Sequence, residues 1–339
     1  MKVLKNRSIY LSISAVLFII SLFFIFVPKL NLWIDMTGGT QAEYSYTQSL
    51  NIENIREVLT KESQSILLDN QEVINAVSVY KVSWENKVAV VVGFDNSIEE
   101  KELDALKISF RDKVLEVLQS NDETIIEESY TNIWKSFGDY IKNTAIITLL
   151  IAIVAITFYV TYSFSWVVSL ISVLSFSLIT IVTLFHDVII STWAYIFASL
   201  YFPEFKIDTF FITALLTILG YSINDTIVIF DRIRWNLKQY GGKQWKAGKT
   251  LEEIIDLSVG ETIKRSIYTS LTLLFVLITI FLFGPETIKG FILVMIFWTI
   301  VGTYSSIFIA SPILYIVNKN KTISVYKKLD IKPEDKIVV

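Results

Sequence analysis

The chain has 339 residues and a mean hydropathy of +0.54, with 53% hydrophobic side chains and only 19% charged. Ordinary soluble domains carry about a quarter charged residues, so a chain that is water-soluble throughout is excluded. Balanced charge (30 basic, 33 acidic, net −3) argues against nucleic-acid binding by overall basicity, and the absence of cysteine with a single histidine rules out disulfides, thiolate chemistry and multi-His metal sites.

In chain order, Lys2, Lys5 and Arg7 precede an uncharged run from Ser8 to Pro28. A crossing helix needs about 20 apolar residues. Phe23, Phe24, Phe26 and Pro28 stand where a signal-peptide cleavage site requires small residues. Residues 1–28 therefore read as an uncleaved first crossing with a cytoplasmic N-terminus. Residues 29–139 hold 10 Lys/Arg against 20 Asp/Glu and read as an extracytoplasmic domain. Within it, 32–46 alternates after a Gly-Gly break, predicting a strand with a bulge or close backbone contact. Ile52, Ile55, Val58 and Leu59 mark a helix, and 73–82 and 87–94 two strands. Leu103, Leu106, Phe110, Val114 and Leu118 mark a second helix, and 123–133 a last strand. The order βαββαβ is that of a ferredoxin-like α+β domain.

From Asn143 to His186 no Asp, Glu, Lys or Arg occurs, enough for two crossings with a turn near Ser163-Phe164-Ser165. Further charge-poor runs span 209–224, 266–285 and 290–318. Residues 231–265 hold 8 Lys/Arg and the tail 319–339 holds 6, which places both in the cytoplasm by the positive-inside rule. Parity then makes 166–203 one crossing. The expectation is a polytopic α-helical membrane protein with six transmembrane helices. A five-helix bundle over 140–318 carries a cytoplasmic loop at 231–265.

An ionisable side chain inside a bilayer is costly and functional by default. Asp225 falls inside the fourth helix, toward its cytoplasmic end, preceded by Tyr221 and Ser222. Lys264-Arg265 opens the fifth helix, with Thr269 and Thr272 on the arginine's face. Burial and a nearby guanidinium act on a carboxylate in opposite directions, so movement of Arg265 could switch Asp225 between charge states. The alternative is a strut between helices. His186-Asp187 in the third helix reads equally as polar glue or as part of a relay. Gly302, Ser306 and Ala310, four residues apart, read as a close-packing face toward this chain or a partner. Asp231, Arg232 and Arg234 read as boundary anchors.

The segment Gly220-Tyr221-Ser222-Ile223-Asn224-Asp225-Thr226, continued by Val228-Ile229-Phe230-Asp231-Arg232-Ile233-Arg234, closely resembles the hallmark of the SecD/SecF family of protein-export membrane proteins. Ile34-Asp35-Met36-Thr37-Gly38-Gly39-Thr40, His186-Asp187 and Gly302-Thr303-Tyr304-Ser305-Ser306-Ile307 agree, in the family's order. Ser136-Phe137-Gly138 departs from the family's Gly-Pro-containing junction. The resemblance implies a six-helix member of the resistance-nodulation-division superfamily in the plasma or inner membrane. It implies pairing with SecD, and assistance to the SecYEG channel that draws unfolded secretory polypeptides outward on the ion (proton) gradient. It implies no enzyme activity and no cofactor. The family's membrane-embedded acid matches Asp225 and its basic partner Arg265, with His186, Asp187, Tyr221, Ser222, Asn224 and Thr269 as supporting polar groups. A carboxylate beside hydroxyls and an amide suits a proton or a sodium ion alike.

Three rival readings stand beside this one. A small-molecule exporter of the same superfamily would usually carry duplicated halves. A passive translocon scaffold would use Asp225 as a strut. An intramembrane aspartyl protease would pair Asp187 with Asp225, but the Gly-x-Gly-Asp signature is missing around both.

Overall fold

The structure is a computed structural model that describes residues 2–26, 34–47, 49–68, 71–82, 86–94, 100–165, 171–202, 205–240, 250–285 and 288–319. A short turn at Leu4–Asn6 leads into α1 (Arg7–Phe26). The external domain then follows as α2 (Ile34–Thr37), β1 (Gly39–Ser45), α3 (Ile52–Ser65), β2 (Leu67–Leu68), β3 (Gln71–Glu72), β4 (Ile74–Val82), β5 (Lys87–Phe94), α4 (Glu100–Gln119) and β6 (Ile126–Ile133). Four strands form one sheet in the order β4-β5-β1-β6, each neighbouring pair antiparallel. This is the split βαβ arrangement that the sequence predicts. Ile55 and Leu59 of α3 and Phe110, Val114 and Leu118 of α4 are buried with Tyr44, Val90 and Val92 of the sheet. The stripes read at helical spacing are thus the core faces of both helices. Asn51 starts α3 by accepting the Asn54 N–H on its side chain (3.2 Å).

The first strand occupies the part of 32–46 that follows the Gly-Gly break. Ile34–Thr37 is a helical turn, and the strand begins only at Gly39. Gly38 (φ 79°) and Gly39 (φ 154°) reverse the chain between them, a backbone that side-chain-bearing residues rarely adopt. A Cβ on Gly39 would lie 2.4 Å from the Val92 carbonyl oxygen, so the Gly-Gly break marks close approach to β5, and a bulge follows at Glu43/Tyr44. The last strand starts at Ile126 instead of 123. Asp122 accepts the N–H groups of Thr47 and Thr124 (both 2.9 Å) and holds a turn there. The small β2–β3 pair was not foreseen.

The bundle consists of α5 (Lys135–Ser165), α6 (Val173–Tyr201), α7 (Thr209–Tyr240), α8 (Leu251–Phe283), α9 (Lys289–Ser305), a π turn (Ser306–Ala310) and α10 (Ser311–Asn318). With α9 to α10 continuous, six helices are long and apolar enough to cross a membrane. Several expected boundaries are corrected. The turn placed at Ser163-Phe164-Ser165 is still helix, and α5 runs through it. The third crossing is Val173–Tyr201, while residues 166–170 and 203 lie outside the described set. The segment 231–265 is mostly helix, since α7 continues to Tyr240 and α8 begins at Leu251. Their polar ends bind each other beyond the apolar stretch, through Arg232 to Glu261 (2.6 Å) and Asn236 to Ser258 and Glu261 (2.9 Å each). Thr250 and Glu253 form a capping box that fixes the start of α8. Of the tail, residues 320–339 lie outside the described set.

The helices divide into an inner and an outer trio. Windows of α6, α7 and α9–α10 are 56%, 44% and 50% buried, against 11%, 6% and 17% for α1, α5 and α8. The inner trio carries His186, Asp187 and Asp225, the buried ionisable side chains of the described bundle residues.

Candidate functional site

Asp187 on α6 is fully buried. Its Oδ2 accepts hydrogen bonds from Ser222 Oγ of α7 and Ser305 Oγ of α9 (2.7 Å each), and Oδ1 lies 2.9 Å from His186 Nδ1. The other imidazole nitrogen, Nε2, lies 2.5 Å from Ser14 Oγ on α1, and the ring stacks on Phe18. One carboxylate thus ties four helices together.

Asp225 sits differently. Because α7 continues past the apolar run, the residue falls mid-helix instead of near the cytoplasmic end. It is 7% exposed, and among the described residues its Oδ2 has no hydrogen-bond partner. Ser266 of α8 is set against it, and the charge of Arg265 reaches it, but no ion pair joins the two among the described residues. Arg265 is corrected in the same way: it lies within α8, far from its first residue Leu251, and its side chain is exposed on the outer face. The Oγ of buried Ser266, though turned to Asp225, likewise has no partner at hydrogen-bond distance among the described residues.

The remaining predicted residues separate into two sets. Ser222 serves Asp187 and not Asp225. The Tyr221 hydroxyl is buried without a partner among the described residues. Asn224 on α7 and Thr269 on α8 are exposed, and Thr269 returns its hydroxyl to the carbonyls of Arg265 and Ser266 (3.0 Å each). Asn224, Arg265 and Thr269 therefore stand on the outside of the chain at the depth of a buried acid. Gly302, Ser306 and Ala310 pack inward, within this chain. A Cβ on Gly302 would lie 3.3 Å from Ser222 Oγ, Ser306 Oγ is 2.9 Å from Thr226 Oγ1, and Ala310 is fully buried. Ser306 opens and Ala310 closes a π-helical turn, a form frequent at functional sites in helices.

Sequence reasoning missed Ser14, Thr226, Ser266 and the hydrogen bond of Ser305. Ser305 lay inside a quoted motif. Ser14 carried no signal, since a lone serine in an apolar helix points to nothing by itself. Chemically, the arrangement offers one carboxylate with every neighbour engaged and one with a bare oxygen.

Residues 113–320 match the family described as protein export membrane protein SecD/SecF, C-terminal. The protein translocase subunit SecF of Sebaldella termitidis is 33% identical over 321 residues, covering 95% of this chain and 93% of that one. The protein translocase subunit SecF of Thermodesulfovibrio yellowstonii is 32% identical, covering 94% and 95%. Among solved structures, SecDF from Thermus thermophilus, described as a translocon-associated membrane protein, superposes with a TM-score of 0.70 at 24% identity over 94% of this chain. The chain spans 39% of that SecDF chain.

Proposed function

The chain belongs to the SecD/SecF family of protein-export membrane proteins, with its curated relatives on the SecF side, and from that premise we propose that it is a multi-pass accessory subunit of the Sec translocase. It pairs with a SecD-type half and assists the SecYEG channel. With both termini cytoplasmic, residues 29–139 face outward and meet the emerging unfolded polypeptide.

Drive comes from the proton gradient through Asp225 and Arg265. The observation that carries this reading is the bare Oδ2 of a buried mid-helix carboxylate. A buried polar atom without a partner costs roughly 1–3 kcal/mol, and taking up a proton removes the charge that makes the burial expensive. Moving one charge through 100 mV yields about 2.3 kcal/mol, enough to shift a helix contact of that size. Arg265 is the switch: on the exposed face of α8, it reaches Asp225 only if the helix or its side chain turns inward. His186, Asp187, Tyr221 and Ser222 hold the surrounding frame.

The outward-facing Asn224, Arg265 and Thr269 support the pairing. A guanidinium on a lipid-facing surface is expensive, and a second half packed there covers it. Residues 1–28, 29–139 and 140–318 then act as anchor, external domain and motor bundle.

The test is Asp225→Asn in cells that depend on this chain. Assembly with the SecD-type half, read by affinity purification from native membranes, stays intact while gradient-dependent export is lost. Unchanged export at full expression rejects the relay, and failure to assemble favours the passive scaffold.

A further inference from the structure

The first residues of the chain are built into the end of the bundle remote from the external domain. Val3 and Leu4 are 1% and 0% exposed and belong to the apolar core of the bundle. The turn Leu4–Asn6 has no cap of its own, since the Val3 side chain cannot accept a hydrogen bond. Its first N–H is met from another helix instead: Leu4 N–H donates to Asp256 Oδ1 on α8 (3.0 Å), where negative charge suits a helix start. Arg7 holds the turn from its other side. It donates to the Leu4 carbonyl (2.8 Å), and its guanidinium lies over the Tyr315 ring of α10 (5.0 Å). Neither the relay nor the hydrogen-bond frame around Asp187 uses this contact.

We propose that Asp256 is a positioning residue for the relay: its grip on the Leu4 N–H sets how α8 is turned about its own axis and holds Arg265 away from Asp225. The role rests on the relay described above and supplies what keeps its two members apart at rest.

Helix geometry links the two ends of α8. Asp256 and Arg265 are nine residues apart, about two and a half turns at 3.6 residues per turn, so they stand on opposite sides of the helix. Ser266 marks the side set against Asp225, and Arg265 stands about 100° from it. Any turn of α8 that carries Arg265 inward therefore carries Asp256 by as much in the opposite direction. The capping box at Thr250 and Glu253 fixes the start of α8, so both residues move with one helix. Leu4 is held in the core by its side chain and cannot follow. The α7 side offers no such stop. Asn236 Nδ2 already binds both Ser258 Oγ and Glu261 (2.9 Å each), and the turn exchanges one for the other. Arg232, on Glu261 (2.6 Å), is a long side chain that moves with it.

The full chain in lipid nanodiscs carries the test. The sequence has no cysteine, so Tyr268→Cys on α8 and Ile147→Cys on α5, both exposed, accept one spin-label pair, and a turn of α8 moves the first label against the second. Pulsed EPR on this parent pair should be dominated by one distance. Asp256→Ala should raise the ratio of a second distance to the first about tenfold, the factor for losing one hydrogen bond to a charged group. Asp256→Asn keeps an oxygen acceptor and should restore the parent distribution. Arg265→Ala added to Asp256→Ala should remove the second distance, because the guanidinium is what draws that side of α8 toward the carboxylate. A helix merely loosened by the lost bond would keep it. Identical distributions in the parent and Asp256→Ala, or a second distance that survives Arg265→Ala, would overturn the positioning role. Export separates this failure from that of the relay. If Asp225→Asn abolishes gradient-dependent export while Asp256→Ala leaves the distances unchanged, the relay stands without this restraint; export unaffected by Asp225→Asn rejects the relay itself.

Discussion

Asp187 and Asp225 are two buried acids on adjacent helices of one bundle, held in opposite ways. Asp187 engages two serine hydroxyls from two sequence-distant helices and the imidazole of its own neighbour His186. Among the described residues, Asp225 leaves one oxygen bare beside a serine without a hydrogen-bond partner. A fully satisfied buried network rigidifies and specifies a packing, whereas a partly satisfied one is poised to change. The difference assigns the two residues different work: Asp187 fixes how α1, α6, α7 and α9 sit together, and Asp225 is free to answer a charge that approaches from α8.

Breaking that contrast starts with the satisfied acid. Asp187→Ala leaves Ser222, Ser305 and His186 buried without their acceptor, and loss of one member of a buried charged network costs about 3–5 kcal/mol. We expect the protein to unfold at markedly lower temperature in detergent, with little intact protein recovered. Asp225→Asn should change stability by no more than about 1 kcal/mol, since it removes no hydrogen bond present among the described residues. Its cost should fall on gradient-dependent export. If both variants lose stability equally, the two acids are struts of one kind.

A smaller change sharpens the same contrast. Ser305→Ala removes one of the three groups that engage Asp187 and should cost about 1–2 kcal/mol, above the average for hydrogen bonds inside membranes because the acceptor is a carboxylate. Ser266→Ala, beside Asp225, removes a hydroxyl that has no partner among the described residues. Thermal unfolding in one detergent should rank Ser305→Ala well below Ser266→Ala.

The sheet order and the two core helices of the external domain were legible because alternation and 3.6-residue spacing report burial directly. The buried faces of α3 and α4 are the ones read from Ile55, Leu59, Phe110, Val114 and Leu118. Helix ends were not legible, because charge-poor runs mark what is apolar and not what is helical. Asp231 through Tyr240 continue α7 as polar helix held by Glu261 and Ser258 of α8. Reading 231–265 as a loop is what misplaced Asp225 along α7 and Arg265 along α8. Asp225 itself was visible as a lone acid in an apolar run. The assignment of Ser222 to Asp187 was not, since Ser222 lies three residues before Asp225 on one helix and only the three-dimensional packing of α6 on α7 brings it to Asp187.

The smallest expected effect concerns the glycine that lets this packing close. An alanine Cβ at Gly302 would sit 3.3 Å from Ser222 Oγ and 3.4 Å from the Trp298 ring, tight enough that the serine must shift by a few tenths of an ångström. Replacing a mid-helix glycine by alanine gains about 1 kcal/mol from backbone and propensity terms, which opposes the crowding. Gly302→Ala alone should therefore be near neutral in thermal stability. In a Ser222→Ala background the crowded oxygen is gone, and the same substitution should become stabilising by up to about 1 kcal/mol. A double-mutant cycle measures that coupling. A coupling of zero would mean that Ser222 moves aside at no cost, and that its hold on Asp187 is weaker than the 2.7 Å geometry implies.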